Sequence, residues 1–390
     1  MLLLASGVRR LMERFPMWQL AFGRRAILVC PGCGRRNRVR PGRMGAHCGA
    51  CGNALLAART STLGARAVAA ATALYALGLG VVWWLTTQVS DNWWLGTVLL
   101  YLPRLLYALP LLLLVPLAAR LSRRALVPQA ACLLFILGPL MGWQAPGRGE
   151  TASKGSIPIR VLTYNLGYRE ASTAALQAAV ARLQPDIIVA QESNDLKELF
   201  LDWKTHHEGE YFLATRLPLI SAETRVFLPD RTWRRGARYR LQGPKGRFTL
   251  YSLHLDTPRR ALETLKAPAG AGFVQWGNLG AASRELASDA ARRAMEARRA
   301  RVWVGETTGP CIIAGDFNAP PDSRLCRRLW GSFRDTFAVA GGGYGYTAHA
   351  PWPWVRIDRI LASPEWRVSR AATAPGSGRD HLPVVAELWQ

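Results

Sequence analysis

A chain of 390 residues, about half of them apolar, is long for one domain and has enough hydrophobic side chains to bury a sizeable core. Its formal net charge of +24 comes almost wholly from arginine. That excess excludes a preference for cationic partners and leaves lipid head groups and nucleic acid both open. The charge is uneven: residues 1–66 hold twelve Arg against the single Glu13, and 151–390 hold 33 Lys and Arg against 23 Asp and Glu.

Residues 1–28 form a basic N-terminal segment. Two C-x-x-C pairs follow, Cys30-Pro-Gly-Cys33 and Cys48-Gly-Ala-Cys51, with fourteen residues between them. That gap lies just under the usual zinc-ribbon spacing of about fifteen to twenty. Gly32, Gly34, Gly49 and Gly52 let the backbone turn its amides toward the sulfurs. Four thiolates so spaced make a closed, tetrahedral structural Zn²⁺ site over 29–56, with no open position for chemistry. A redox pair is the competing reading. The stretch resembles the small zinc ribbons that open some bacterial redox and membrane proteins. His47 reads as a surface residue, and Cys132, Cys311 and Cys326 as small core residues.

Past a polar hinge, Arg59-Thr-Ser-Thr-Leu-Gly, residues 66–144 predict three transmembrane helices at about 67–88, 98–119 and 125–144. Ala67 to Ser90 carries no charge, long enough to cross roughly 30 Å of hydrocarbon. Trp83, Trp84, Trp93 and Trp94 suit a membrane–water boundary, and Arg104 sits where it can snorkel from the second span. The basic 1–66 region and the Arg120–Arg124 loop belong on the cytoplasmic side. Three crossings then place everything beyond about Pro146 in the periplasm or outside, on a multi-pass protein of the inner (plasma) membrane. Residues 145–156 read as a Gly/Ser/Pro linker.

The remaining domain, 157–390, delivers polar groups at strand ends again and again. Ile159-Arg-Val-Leu-Thr-Tyr-Asn165 alternates and ends on Asn. A helix over Ala171 to Leu183 is broken by Pro185, and Asp186-Ile-Ile-Val-Ala-Gln-Glu192 ends on a carboxylate. Phe248-Thr-Leu-Tyr-Ser-Leu-His254 ends on His, and Cys311-Ile-Ile-Ala-Gly-Asp316-Phe-Asn318 on a carboxylate and an amide that face the same way. Asp358 in Val355-Arg-Ile-Asp-Arg-Ile-Leu and the turn Asp380-His381-Leu-Pro complete the series. Singly, each has an ordinary explanation: an Asx turn at Asp316, a core histidine at 254, an ion pair of Asp358 with Arg356 or Arg359.

Together, Asn165, Gln191-Glu192, Ser252-Leu-His254, Gly315-Asp-Phe-Asn318, Arg356-Ile-Asp358 and Asp380-His-Leu-Pro resemble the endonuclease/exonuclease/phosphatase superfamily. The resemblance covers nearly all of 157–390, and the arrangement after three spans is similar to a membrane-bound bacterial subset. It implies an α/β four-layer sandwich of two mixed β-sheets flanked by helices, deoxyribonuclease-I-like, with a cleft at the strand ends. Phosphoester hydrolysis needs a hard cation, an in-line water and donors for developing charge. Glu192 suits Mg²⁺ or Mn²⁺. The resemblance adds Asn165 at that metal or at a phosphate oxygen, Asp380 around the metal, a His381–Asp358 pair or Asp316 as base, and His254 and Asn318 as donors to phosphoryl oxygens, His254 also as acid.

Two departures stand out. Gly167 occupies the place where many members carry an acid two after the Asn, and Arg379 replaces the usual Ser before Asp-His. The substrate class stays open: nucleic acid, a lipid phosphodiester or a small phosphoester. A non-catalytic binding module is the remaining alternative. The cluster Arg231, Trp233, Arg234, Arg235, Arg238, Tyr239 and Arg240 suits a nucleic-acid backbone, lipid head groups or a solvated hairpin equally. The aromatic stretch Tyr344 to Trp354 reads either as a lip over the cleft or as packing.

Overall fold

The computed structural model describes residues 26–39, 46–53, 55, 62–147, 149–152, 155–229, 235–257, 279–348, 354–374 and 380–390. The rest of the basic N-terminal segment, residues 59–61 of the hinge, Arg231, Trp233, Arg234 and Arg379 lie outside the described residues. In chain order the elements are β1 (Ala26–Val29), β2 (Arg36–Val39), α1 (Thr62–Trp84), α2 (Trp94–Tyr101), α3 (Leu111–Leu121), α4 (Leu126–Phe135), β3 (Ile159–Asn165), α5 (Glu170–Leu183), β4 (Ile187–Gln191), β5 (Lys204–Glu208), β6 (Tyr211–Thr215), β7 (Leu219–Val226), β8 (Arg235–Gly243), β9 (Gly246–His254), α6 (Leu279–Gly305), β10 (Cys311–Asp316), α7 (Arg324–Trp330), β11 (Arg334–Asp335), α8 (Thr336–Ala340), β12 (Asp358–Ala362), β13 (Arg367–Thr373) and β14 (Val384–Trp389). The chain divides into two compact units: Met1–Leu77 with Leu109–Leu133, and Gly78–Ala108 with Leu134–Gln390.

In the first unit, β1 and β2 pair antiparallel and carry the first C-x-x-C turn at their junction. Each pair closes the same way: Gly34 N–H donates to Cys30 O and Gly52 N–H to Cys48 O, both at 2.9 Å. Gly34 and Gly52 stand at φ 70 and 72, which a glycine tolerates without steric cost. Cys30 Sγ lies 3.5 Å from Cys51 Sγ and Cys33 Sγ 3.6 Å from Cys48 Sγ. Thiolates around a tetrahedral zinc at about 2.3 Å stand about 3.8 Å apart, so the four sulfurs fit that ion. The backbone amides of Ala50 and then Cys51 pull the Cys48 thiol down to about 6, favouring the ligating thiolate.

Three helical stretches are long and apolar enough to cross a membrane: Leu63–Asn92, Arg104–Leu121 and Arg123–Leu140. Within the first unit their polar side chains satisfy one another, Gln129 Nε2 donating to Thr72 Oγ1 at 3.0 Å and to Leu114 O at 3.2 Å. The second stretch differs from the expected 98–119. Leu102 is extended (φ −68, ψ 140) ahead of Pro103, which cannot donate a helical hydrogen bond, so α2 ends there and the apolar helix restarts at Arg104. Arg104 does not snorkel. It is buried, pairs with Asp322 at 2.8 Å and donates to Leu140 O.

In the second unit two six-stranded mixed sheets, ordered β11-β12-β10-β9-β8-β7 and β13-β14-β3-β4-β6-β5, lie face to face. Among the described residues, β9–β10 and β3–β4 pair in parallel and the other neighbours antiparallel. Strand alternation explains the layers. Val161, Val189, Leu213, Leu250, Ile312 and Ile360 fill the space between the sheets. The alternate residues Leu162, Tyr164 and Ile188 pack outward on α5, while Tyr251, Leu253 and Ile313 pack on α6 and α7. This is the four-layer sandwich that the sequence implies. Around the 145–156 stretch, Gln144 pairs with Gly343, and Glu150 holds Arg334 and Arg367 at 2.6 and 2.9 Å.

Candidate functional site

The same alternation builds the site. On the faces that meet, the apolar residues give way at one end of the sandwich to Asn165 (β3), Gln191 (β4), Ser252 and His254 (β9), Asp316 (β10) and Asp358 (β12). Register brings them side by side: Asp316 is opposite both His254 and Asp358, and Asn165 opposite Gln191. Gln191 Nε2 bridges the two sheets to Ser252 Oγ at 2.9 Å. Glu192, just past β4, stands at φ 46, a strained conformation for that residue.

Side chains from both sheets converge. Asn165 Nδ2 donates to Glu192 Oε1 and to Asp316 Oδ2, each at 3.2 Å. His254 Nε2 lies 3.5 Å from Glu192 Oε1 and 4.0 Å from Asp316 Oδ2. His381 Nδ1 is 2.9 Å from Asp358 Oδ2, and its Nε2 is 3.8 Å from Asp316 Oδ2. Burial alone would push the His381 imidazole down, but Asp358, then Asp316 and Glu192, outweigh it and hold the ring up at about 9. Burial, then the Asp358 charge, raises the Asp316 carboxyl.

Three sequence expectations change in detail. Asn318 was expected to donate to a phosphoryl oxygen, yet its amide hydrogens go to Leu255 O at 2.8 Å and Asp316 Oδ2 at 3.1 Å. Its own N–H donates to Asp316 Oδ1 at 2.7 Å, so the Asx turn is present too, though the cap of α7 is Ser323. Asp380 is partly exposed and paired with Arg169 at 2.7 Å. Asp358 does not pair with its neighbours in sequence: Asp335 takes Arg356 at 2.8 Å and Arg359 at 2.9 Å.

Glu210 was missed. Its Oε2 lies 2.9 Å from His254 Nδ1, a second carboxylate–histidine pair. In sequence it belongs to the Glu208-Gly-Glu210 turn, and its only signal is its place directly before the fully buried β6. Thr347 also contributes, its Oγ1 accepting from Asp358 N at 3.1 Å.

Described parts of two other stretches lie away from the cleft, while residues 349–353 of the aromatic stretch are outside the described residues. Tyr344 and Tyr346 stack at 5.2 Å and line, with Arg104, Asp322 and Trp354, a separate cavity of about 480 Å³ that touches none of the converging groups. In the basic cluster Arg238 sits over the Trp303 ring at 5.3 Å and Tyr239 is buried in the core, so neither faces a ligand.

The donor set suits a hard divalent cation. Asp358 Oδ1 is buried without a hydrogen-bond donor among the described residues, and Asp316, Asp358 and His381 offer atoms within 4.8 Å of one another. Crowded carboxylate oxygens of this kind need a positive charge among them.

A strand-end cluster of carboxylates, histidines and amides between two face-to-face sheets defines a hydrolase-type site on a deoxyribonuclease-I-like sandwich. Residues 162–380, more than half of the chain, match the model of the Endonuclease/Exonuclease/phosphatase family, and the chain belongs to that family. No curated protein matches it significantly. Among solved structures it is similar to an endonuclease/exonuclease/phosphatase family protein from Bacteroides thetaiotaomicron (17% identity over 60% of this chain and 98% of that one, TM-score 0.44). It is also similar to the mannosyl-6-phosphatase of that species (17%, 59% and 99%, TM-score 0.43) and to D. rerio TDP2 complexed with single-strand DNA product (15%, 59% and 98%, TM-score 0.44). At these values the likenesses bear on neither activity nor substrate.

Proposed function

We propose that the protein is a membrane-anchored, Mg²⁺- or Mn²⁺-dependent phosphoester hydrolase, a phosphodiesterase in the first instance, with its catalytic domain on the outer side. The observation that carries this is the meeting of Glu192, His254, Asp316 and His381, from both sheets, within 4.0 Å of one another in sequence of contact.

A divalent cation beside the Asp316 carboxylate, with Glu192 and Asn165 as its proposed ligands, would screen the phosphoryl oxygens as negative charge develops on them. Asp380 reaches that cation only by exchanging its ion pair with Arg169. Asp358 fixes the tautomer of His381 and leaves Nε2 facing Asp316. The proton of the attacking water goes to this Asp316–His381 pair, which shares charge as a unit. His254, oriented by Glu210, presents Nε2 to the phosphoryl group or its leaving oxygen. The Cys30, Cys33, Cys48 and Cys51 cluster is proposed to hold one structural Zn²⁺.

The test is turnover by the detergent-solubilised full chain on a panel of DNA, RNA, phospholipid and small phosphoesters. Activity should vanish with EDTA, return with Mg²⁺ or Mn²⁺, and fall about 10²–10⁴-fold in His381→Ala. Elemental analysis should find about one zinc per chain. Silence on every phosphoester would overturn the reading. A lipid phosphodiester is favoured as second form by one contact: the segment between the first two apolar stretches touches the site, Tyr101 Oη donating to Asn318 O at 2.5 Å. Nucleic-acid cleavage should weaken steeply with salt, head-group cleavage much less.

A further inference from the structure

Three candidates stand outside the site itself: the 480 Å³ cavity, whose Arg104, Arg356 and Arg359 are held by carboxylates, the zinc ribbon, and a buried polar chain running from the first apolar helix to the β10 loop. The third carries an inference. We infer that Tyr101 and Arg293 are positioning residues for the hydrolase site, acting through Asn318 on the Asp316 carboxylate. The inference rests on the function proposed above.

The chain of bonds is short and buried. Asp91, at the end of the first apolar stretch, and Arg293, on α6, have side chains only 4% exposed and approach to 3.8 Å. Arg293 Nη1 donates to Tyr101 Oη at 3.1 Å. A phenol has a single proton, and the guanidinium has nothing but donors. With Arg293 donating to the phenol oxygen, the Tyr101 proton is directed to its other neighbour, Asn318 O. Asn318 stands at φ 46, and its N–H and side-chain amide hold both oxygens of Asp316. Two bonds therefore separate the Tyr101 hydroxyl from the carboxylate that faces His381.

The segment that supplies Tyr101 is itself fastened to the sandwich. Asp91 Oδ2 accepts from Leu325 N at 3.2 Å and Ser90 Oγ from Arg324 N at 3.0 Å, while Trp354 Nε1 donates to Tyr101 O at 3.2 Å. Gly96 is required here, because a Cβ would meet Ser90 Cα at 2.9 Å. An Asn in the left-handed region can relax to other conformations once its carbonyl loses this donor. The catalytic loop thus borrows part of its rigidity from the anchor.

The experiment compares Tyr101→Phe with Tyr107→Phe in the full chain in detergent. Tyr107→Phe serves as the comparison, since it removes a hydroxyl that donates to Leu99 O at 2.9 Å within the apolar region. Tyr101→Phe should lower kcat about tenfold with KM within about twofold, and speed hydrogen exchange in residues 316–323, at an unchanged melting temperature. Tyr107→Phe should change none of these. Wild-type exchange and kcat in Tyr101→Phe would overturn the inference. So would a loss spread evenly over the chain with a lower melting temperature, or an equal loss in Tyr107→Phe. If the wild type turns over no phosphoester, the proposed function fails, and exchange at 316–323 alone decides the role of Tyr101.

Discussion

Two side chains, Glu192 and Asn318, stand at φ 46 at the mouth of the cluster. An Asn tolerates that region; a Glu seldom does, and such strain persists where the surroundings hold it and a site uses it. Asp335 shows the opposite case of a charge fully answered. Burial would raise its carboxyl, but Arg356 first and then Arg359 overcome this and hold it well below the usual carboxylate range. A depressed carboxyl contributes stability above the unfolded value of about 4 and loses it as pH falls through the folded value. Asp335→Asn should therefore destabilise the protein by about 3–5 kcal/mol at neutral pH. The gap to wild type should narrow below about pH 4, as read from urea unfolding at several pH values. This pairing was hidden in the sequence. Neighbouring charges suggested an Asp358–arginine pair, whereas alternation along β12 sends Asp358 toward the inner face and Arg359 away from it, and Asp335, some twenty residues upstream, takes both arginines.

At the scale of elements, β10 is the strand on which the rest turn. It pairs in parallel with β9 and antiparallel with β12, and so sets Asp316 between His254 and Asp358. Gly315 lets it do so. Its φ is +138, and a Cβ there would come within 2.0 Å of Leu253 O. Gly315→Ala should cost roughly 1–3 kcal/mol in backbone strain and force β10 away from β9. A lowered melting temperature with activity falling further than stability accounts for would show it. Strands like these are legible because inward apolar residues recur at every second position until a polar one replaces them. Helix breaks were less so: Leu102-Pro103 gives a clear boundary signal, but the surrounding hydrophobicity reads straight through it. Glu210 left only its place before β6 as a signal, since a carboxylate in a hairpin turn is ordinarily solvated.

For the whole molecule, family, sandwich and the order of its polar strand ends were legible, because they follow from short-range alternation and from motifs. What was not legible is how the apolar region meets the sandwich, since those bonds join residues some two hundred positions apart, Arg104 to Asp322 and Tyr101 to Asn318. Sidedness belongs at this scale. With twelve Arg in residues 1–66 and a basic 120–124 loop, an outward catalytic domain is the expected arrangement. A periplasm-active reporter fused after Gln390 should function and a cytoplasm-only reporter should not; the reverse would invert the topology.

The pairing of Gln144 with Gly343 and the bond from Tyr346 Oη to Met141 O at 2.9 Å leave little slack between the last apolar helix and the sandwich. In the proposed orientation the cleft would then stay near its anchor instead of roaming on a leash. Encounter would then be governed by lateral drift of whatever travels in that leaflet, and turnover should scale with surface density of substrate more than with its bulk amount.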